Sequence, residues 1–269
     1  MKRLIPIISA FALVISLSGC ELLLGQKNLF SGFEADPSEK YEGMTPSETL
    51  DALERDSASP TFYDNLADDP ALTAEIIDNL DQIISDPDAS DSDVISAALF
   101  KSDIILNTSD AGDVVNALAD GLLDMGDTST EADIISAFLD PIATVIDDPV
   151  SFTAFIDSML DLAVTYDALA AAGPTSLDGD VAQAAVVSLL LRAVVYSIDA
   201  PTPEDQVEAL RTALLELSDD DPMTEGNLTF AGTADPFTDM VAEGRSLLII
   251  LEAAGMGDIS DMFRDMGEE

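Results

Sequence analysis

Several residue types are absent or scarce in this chain of 269 residues. It contains no His, no Trp and one Cys. Without His, the catalytic triads and metal sites that depend on imidazole cannot be built. One Cys excludes an internal disulfide and a cluster of thiolates. We therefore predict that the protein is not an enzyme and that it carries no cofactor.

Cations are also scarce, and this excludes classes of partner. The chain has 10 Lys and Arg against 53 Asp and Glu, a formal net charge of −43. Such a surface repels phosphate, so we expect no nucleic-acid partner and no polybasic contact with anionic lipid. Hydrophobic residues make up 47% of the chain, which is enough for a sizeable core. The composition therefore predicts a folded interior beneath an acidic surface, rather than a disordered acidic chain.

The first twenty residues have the pattern of an export signal. Lys2 and Arg3 precede an apolar run, 4–17, that ends in Leu17-Ser18-Gly19-Cys20. The run is shorter than the roughly 20 residues that a membrane-spanning helix needs, and it fits the apolar region of a signal peptide.

These residues resemble the lipobox of bacterial lipoproteins, in which Leu and two small residues precede the modified Cys. The resemblance implies that signal peptidase recognises Leu17, Ser18 and Gly19, cleaves before Cys20, and leaves Cys20 lipidated on its thiol and amino group. Several acyl chains on one residue give stable anchoring to a membrane. Glu21 follows the Cys, where Asp retains some lipoproteins in the inner membrane. The resemblance thus favours the outer membrane or cell surface over the inner membrane.

The rest of the chain divides into a tether and a helical region. We predict a signal peptide over 1–19, a lipidated tether over 20–46 and a single helical domain over 47–269, with a long loop at about 218–235. The tether contains apolar residues at 22–24, 29, 30 and 33. These either pack against the lipid or the first helices, or form a docking strip for a partner protein.

From residue 47 onward, the apolar spacing is helical almost throughout. Asp-Pro pairs at 69–70, 148–149 and 235–236 each supply an N-cap followed by a proline at the first helical position. Thr49, Ser92 and Thr202 are further cap candidates. Pro141 should kink or split its helix, and 228–230 is the one stretch resembling a strand. The predicted helices cover 47–55, 60–67, 70–85, 92–106, 110–125, 130–147, 149–171, 179–199, 202–217, 236–254 and 257–266.

Two stretches suggest an internal repeat. Residues 93–99 match 133–139 at an offset of 40, and 76–80 match 114–118 at an offset of 38. A helix pair of this length is closer to a HEAT repeat than to a tetratricopeptide repeat. The fold class is therefore all-α, either a helix-pair array (a short α-solenoid, HEAT/TPR-like in style) or an irregular helical bundle. The array is loosely similar to helical-repeat periplasmic lipoproteins, without matching a specific family.

The helix over 181–198 is apolar on nearly all sides. Gln183, Ser188, Arg192 and Ser197 argue against a membrane span and favour an enclosed central helix. Arg192 would then need a carboxylate partner, because an unpaired buried cation is very costly.

Two acidic segments are weak candidates for a Ca²⁺ site. One contains Asp86, Asp88, Asp91 and Asp93, but it lacks the Gly and the Glu that an EF-hand loop requires at its sixth and twelfth positions. The other is Asp219-Asp220-Asp221, at the start of the predicted long loop. The alternative for both is an inter-helix loop in which one acid caps the next helix.

Three functions fit these observations. The first is a lipid-anchored, non-enzymatic interaction or scaffold protein of the bacterial cell envelope, with a protein or peptide partner. The second is a solute-binding or accessory subunit of a periplasmic transport system, which would hold a small molecule between helices. The third is an acidic, cation-binding surface protein.

The acidic surface generates a testable prediction about salt. Of the 53 acids 37 are Asp, the poorer helix former, as in proteins of salt-adapted organisms. We expect the melting temperature, followed by circular dichroism, to rise with KCl, because the Debye length falls from about 10 Å at 0.1 M to about 3 Å at 1 M. A melting temperature that is unchanged across this range would contradict halophilic adaptation.

Overall fold

The helices of this chain begin and end close to where its caps and apolar spacing place them. The computed structural model describes residues 40–57, 59, 61–123, 142–143, 145–218 and 245–266. Within those ranges the fold is all-α without strands, which confirms the predicted class. The helices are α1 (Pro46–Asp56), α2 (Phe62–Ala67), α3 (Pro70–Ser85), α4 (Asp91–Thr108), α5 (Asp110–Leu123), α6 (Pro149–Ala171), α7 (Gly179–Ser197), α8 (Pro203–Ser218), α9 (Arg245–Ala253) and α10 (Gly257–Met266).

Asp-Pro pairs start two of these helices as predicted. The Asp69 carboxylate accepts the backbone N–H of Leu72 at the start of α3. Asp148 accepts the N–H groups of Val150 and Ser151 at the start of α6. The Ser151 hydroxyl also donates to this carboxylate at 2.8 Å, and that bond, together with the two backbone bonds, holds the pKa of the Asp148 carboxyl below its usual range. The third pair, 235–236, lies outside the described residues, as do Pro141 and 228–230.

Of the other cap candidates, Thr202 is confirmed and two are wrong. Thr202 accepts the N–H of Asp205 at the start of α8. The N-caps of α1 and α4 are Thr45 and Ser90, a few residues before the predicted Thr49 and Ser92. Thr49 is instead buried within α1, where its hydroxyl accepts the side-chain amide of Asn79. A buried partner on another helix is invisible to a local cap pattern.

The apolar interior consists of two clusters. The N-terminal cluster comprises Tyr41, Leu50, Ala52, Leu53, Phe62, Leu66, Leu72, Ile76, Leu80, Ile83, Ala97 and Ile104. The C-terminal cluster is built from buried apolar residues of α5–α9, of 142–146 and of Ile198, together with Ala98 and Ile105 of α4.

Helix α4 contributes to both clusters. Ala97 and Ile104 belong to the N-terminal cluster, whereas Ala98 and Ile105 belong to the C-terminal one. Consecutive residues of a helix point about 100° apart, so these pairs lie on two neighbouring faces. α4 is therefore the helix through which the two clusters are joined.

Helix α6 organises the C-terminal half. It packs against α4, α5, α7, α8 and α9, which include helices that are not its neighbours along the chain. In a solenoid each unit contacts only its neighbours. The described helices therefore form an irregular bundle rather than a helix-pair array. The second copy of the proposed repeat, 133–139, lies outside the described residues, so the repeat stays a prediction.

The prediction of an enclosed α7 holds for its first half only. Residues 182–190 are all buried, whereas 191–194 are partly exposed and the Tyr196 side chain is 57% exposed. Arg192 has the carboxylate partner that its position requires, since its guanidinium donates to Asp167 of α6. By length and composition alone α7 could cross a membrane, and 56% of its most apolar window is buried within the fold.

The packed region begins earlier than residue 47. Tyr41 is 1% exposed and lies in the N-terminal cluster. Its hydroxyl donates to the Asp56 carboxylate, which also pairs with Lys40. Burial and the Asp56 carboxylate together raise the pKa of Tyr41 above its usual value. The end of the predicted tether is thus part of the folded body, because the Tyr41 ring packs among the apolar side chains of the N-terminal cluster.

The first turn of α5 requires a glycine where it approaches the end of α4. A Cβ at Gly112 would lie 1.7 Å from the backbone oxygen of Leu106. We expect Gly112→Ala to lower the free energy of unfolding by about 1–3 kcal/mol, because the backbone must move to relieve this overlap. Urea unfolding measures the change. Gly257→Ala is the matched control, since no atom lies within 4 Å of its Cβ position. Equal stability of the two variants would contradict the close approach.

Candidate functional site

Three consecutive polar residues occupy the helix that joins the two clusters. Lys101, Ser102 and Asp103 lie between the buried apolar residues 97–98 and 104–105 of α4, and Lys101 and Ser102 are 2% and 1% exposed. We call these three residues the polar turn. Lys101 contacts α3 and α6, Ser102 contacts α6 and Asp103 contacts α2, so side chains from four helices meet at the polar turn.

Lys101 is a buried cation held by two carboxylates. Its Nζ donates to Asp81 Oδ1 of α3 at 2.6 Å and to Asp161 Oδ1 of α6 at 2.7 Å. The two acid side chains are 47% and 43% exposed, so they keep part of their hydration while the ammonium loses its own. Burying an ammonium costs several kcal/mol unless it is paired with good geometry. The two carboxylates together meet that condition.

Ser102 forms a buried hydrogen bond with α6. Its Oγ lies 2.6 Å from Tyr166 Oη, and both residues are essentially inaccessible to solvent. Burial raises the pKa of Tyr166, so its hydroxyl stays neutral. The Ser102 hydroxyl is therefore committed to a structural contact, as the Lys101 ammonium is, and the pair does not present a nucleophile to solvent.

Asp103 is the member of the polar turn that lacks a cation. The Tyr63 hydroxyl of α2 donates to its Oδ2 over a long 3.5 Å. Burial raises the Asp103 pKa from its ordinary 3.8 to about 6; Tyr63 opposes this rise, and the charges of Asp178 and Asp180 add to it. A rise of this size corresponds to a loss of stability on the order of 3 kcal/mol when the carboxyl is ionised in the folded state.

Tyr63 is affected by the same arrangement. Burial, followed by the nearby Asp103 charge and the hydrogen bond to it, raises the Tyr63 pKa above its usual value. Its ring packs edge-on against Phe62, with centroids 5.2 Å apart. Tyr63 therefore remains a neutral donor at any ordinary pH, and Asp103 is the titrating partner of the two.

Arg211 of α8 donates hydrogen bonds to backbone oxygens at the end of another helical segment. Its Nε donates to the backbone oxygen of Ile146 at 2.8 Å, and its Nη2 donates to that of Asp147 at 3.3 Å. A cation at the carboxyl end of a helical segment satisfies carbonyl groups that have no intrahelical partner.

The Ca²⁺ candidates gain no support among the described residues. Asp86 Oδ1 accepts the backbone N–H of Asp88 at 2.9 Å, and the N–H of Asp93 donates to Ser90 Oγ. The segment is an inter-helix turn as in the alternative interpretation, but the residue that caps α4 is Ser90 rather than one of the acids. No group of three or more acids, Cys or His within the described ranges has a geometry that would hold a metal ion. Asp219, Asp220 and Asp221 lie outside these ranges.

The lipobox residues also lie outside the described part of the chain. These are Leu17, Ser18, Gly19 and Cys20, together with the first part of the tether, up to residue 39. The acylation of Cys20 and the location of the protein thus remain predictions.

Sequence reasoning missed the polar turn. A lone Lys on an acidic helix is typical of a solvent-facing position, and Asp is abundant throughout this chain. One signal was available: Lys101 follows Ala97 and Ala98 and precedes Ile104 and Ile105, so it sits at core spacing on α4. A cation there needs acids on the facing helices.

Comparisons with protein families, with curated proteins and with solved structures find no match to this chain.

The two carboxylates of Lys101 generate a prediction of non-additivity. We expect Asp81→Asn and Asp161→Asn each to cost less than about 1 kcal/mol, since the other acid still neutralises the ammonium. The double variant should cost about 3 kcal/mol or more, because it leaves a buried cation without a counter-ion. Urea unfolding at a fixed high salt concentration measures each value.

The matched control is Asp78→Asn combined with Asp157→Asn. It removes two charges from the same two helices, α3 and α6, at exposed positions. We expect the control to be neutral or slightly stabilising, since it reduces the net negative charge. If the variant that combines Asp81→Asn with Asp161→Asn is as stable as this control, the two carboxylates do not have the proposed role.

Proposed function

We propose that this protein is a lipid-anchored, non-enzymatic interaction module of the bacterial cell envelope. The observation that carries the proposal is the Leu17-Ser18-Gly19-Cys20 pattern, which follows a basic start and an apolar run and contains the chain's sole Cys. The lipid on Cys20 would attach the protein to the membrane, with the outer membrane or cell surface favoured.

The relation between the anchor and the body supports this proposal. Between Cys20 and Lys40, the first residue of the packed body, lie 19 residues. A chain of that length spans at most about 65 Å when fully extended. The body carries the large negative charge, so an anionic bilayer repels it within a Debye length of about 8 Å. The lipid would then attach the protein to the membrane, while electrostatic repulsion would hold the acidic body away from the bilayer surface.

The character of the surface supports a protein or peptide partner. The described ion pairs engage Lys40, Lys101, Arg192, Arg211 and Arg264 with acids of the chain itself. Most carboxylates of the described residues have no such ion pair, and a cationic segment of another protein would complement them. Exposed apolar side chains such as Val164 and Tyr196, 58% and 57% exposed, add contact area of the kind found within interfaces.

Lipidation is tested with the full chain expressed in a bacterium that processes lipoproteins. We expect incorporation of a labelled fatty acid, partition into the membrane fraction, and a mature N-terminus at Cys20 by mass spectrometry. Cys20→Ser should abolish the label and the cleavage. Ser9→Ala, within the apolar run, should be processed like the wild type. An unlabelled, uncleaved wild-type chain would overturn the anchor.

The interaction is tested separately, on membranes that contain the anchored protein. After mild cross-linking and solubilisation, affinity isolation should return a partner whose recovery falls as salt is raised, because complementary charge contributes to association. The return of no specific partner would count against the interaction role while leaving the anchor intact.

A further inference from the structure

One side of α6 faces solvent and carries little charge. Seven of its exposed or partly exposed positions fall within a sector of about 80° around the helix axis, since successive residues are 100° apart. We call these seven residues the α6 ridge, and they are Val150, Thr153, Asp157, Leu160, Val164, Ala168 and Ala171. Asp157 is the single charged residue of the ridge, although the chain contains 53 acids.

The acids that border the middle of the ridge are engaged by cations of the chain itself. Asp161 and Asp167 lie about 60° to either side of Val164 on the helix. Asp161 accepts from Lys101 of α4 at 2.7 Å, and Asp167 accepts from Arg192 of α7. The two ion pairs therefore leave a strip of low charge between them, with Val164 at its centre.

Tyr196 of α7 widens this strip. The seven residues 172–178 that connect α6 to α7 are too few to carry the chain back to the start of α6, about 34 Å away, so the two helices run antiparallel. Val164 lies three residues before Asp167, and Tyr196 lies four residues after Arg192. In antiparallel helices these two steps lead in the same direction. Val164 and Tyr196 are therefore neighbours, one turn away from the Asp167–Arg192 ion pair.

The large apolar side chains exposed within the described ranges are concentrated on this surface. They are Val150, Val164, Tyr196 and Ile249, of which the first three lie on the ridge or beside it. Ile249 belongs to α9, which packs against the buried side of α6. The centre of a protein interface is depleted of charge and enriched in apolar and aromatic residues. On an otherwise acidic protein, the strip around Val164 has this composition.

The margin of the strip is acidic, and this selects the kind of occupant. Asp157 lies two turns before Val164 on the same side of α6, and Asp199 follows Tyr196 by three residues. Both acids are exposed, and none of the described ion pairs includes either of them. A second copy of the chain would place like charges opposite one another, which is unfavourable, whereas Lys and Arg of a partner would complement them.

We propose that the α6 ridge and Tyr196 form the docking surface for an amphipathic helix of a partner protein, whose apolar stripe is flanked by Lys and Arg. The stripe packs on Val164 and Tyr196, and the flanking cations pair with Asp157 and Asp199. A straight ridge of about 32 Å, from Val150 to Ala171, matches a helix of about 20 residues. This inference rests on the interaction role proposed above and specifies the surface and the chemistry of the partner.

The test uses the full chain in nanodiscs of phosphatidylcholine, with empty nanodiscs as the blank. The probe is a synthetic peptide of Leu and Lys in which Leu recurs at i, i+3, i+4 and i+7, so that one face of its helix is apolar. A peptide of the same composition in scrambled order is the control. By fluorescence anisotropy in 0.5 M KCl, which screens distant charges, we expect the striped peptide to bind at least tenfold more tightly than the scrambled one.

A double variant removes the apolar centre without changing the charge. Val164→Gln with Tyr196→Gln should weaken binding of the striped peptide about tenfold, and both side chains are more than half exposed, so the fold is retained. Ile249→Gln is the matched control and should bind within twofold of the wild type. Equal affinity of the wild type and the double variant, or of the striped and scrambled peptides, overturns the proposal.

A second pair of variants tests the acidic margin. Asp157→Asn with Asp199→Asn should weaken binding of the striped peptide and reduce its dependence on salt. Asp51→Asn with Asp78→Asn removes the same charge from exposed positions of α1 and α3 and should have a smaller effect. Equal effects of the two pairs would mean that net charge alone attracts the probe, and would contradict the assignment of the margin.

A photo-reactive side chain identifies the occupant directly. Val164→benzoylphenylalanine should cross-link to the striped peptide. A cross-link to a second copy or to the tether that the peptide does not displace would assign the strip to that occupant and overturn the proposal. The outcome is separate from the interaction role itself, because a partner isolated from membranes that still binds the Gln double variant would keep that role and exclude the ridge.

Discussion

The fold depends on one buried ammonium group. Lys101 lies on the helix that both apolar clusters share, and its two carboxylates come from α3 on one side and α6 on the other. Apolar packing alone tolerates small rotations of one helix group against another. An ammonium with two fixed acceptors does not, because a displaced helix would leave a buried charge unpaired. The ion triad therefore fixes the relative position of the two halves.

The polar turn combines attraction and repulsion within one helical turn. Lys101 of α4 forms ion pairs with acids of α3 and α6, and Ser102 forms a neutral hydrogen bond with Tyr166. The Asp103 carboxylate, in contrast, is repelled by the charges of Asp178 and Asp180. One residue, Ser102, separates the attractive site from the repulsive one, so both act on the same part of α4.

The helices of this chain could be read from its sequence, whereas their arrangement could not. Asp69 and Asp148 marked helix starts because an N-cap and a following proline act over a few residues. The sequence showed that Arg192 needs a carboxylate partner, but it could not identify the partner as Asp167, which is 25 residues away among many acids. The polar turn was missed because the core spacing of Lys101 is only a local signal, whereas the two acids that hold its ammonium come from α3 and α6. Choosing between an array and a bundle needed the long-range contacts of α6.

The shared faces of α4 have a consequence for the order of folding. The N-terminal cluster draws on residues 41–104, a short and continuous stretch, whereas the C-terminal cluster reaches from Ala98 to Leu251. Contacts that are close in sequence form faster than distant ones. Because the N-terminal part of the chain is synthesised first, the N-terminal cluster can form early and fix the position of α4. The face carrying Ala98 and Ile105 then serves as a template on which the later helices assemble.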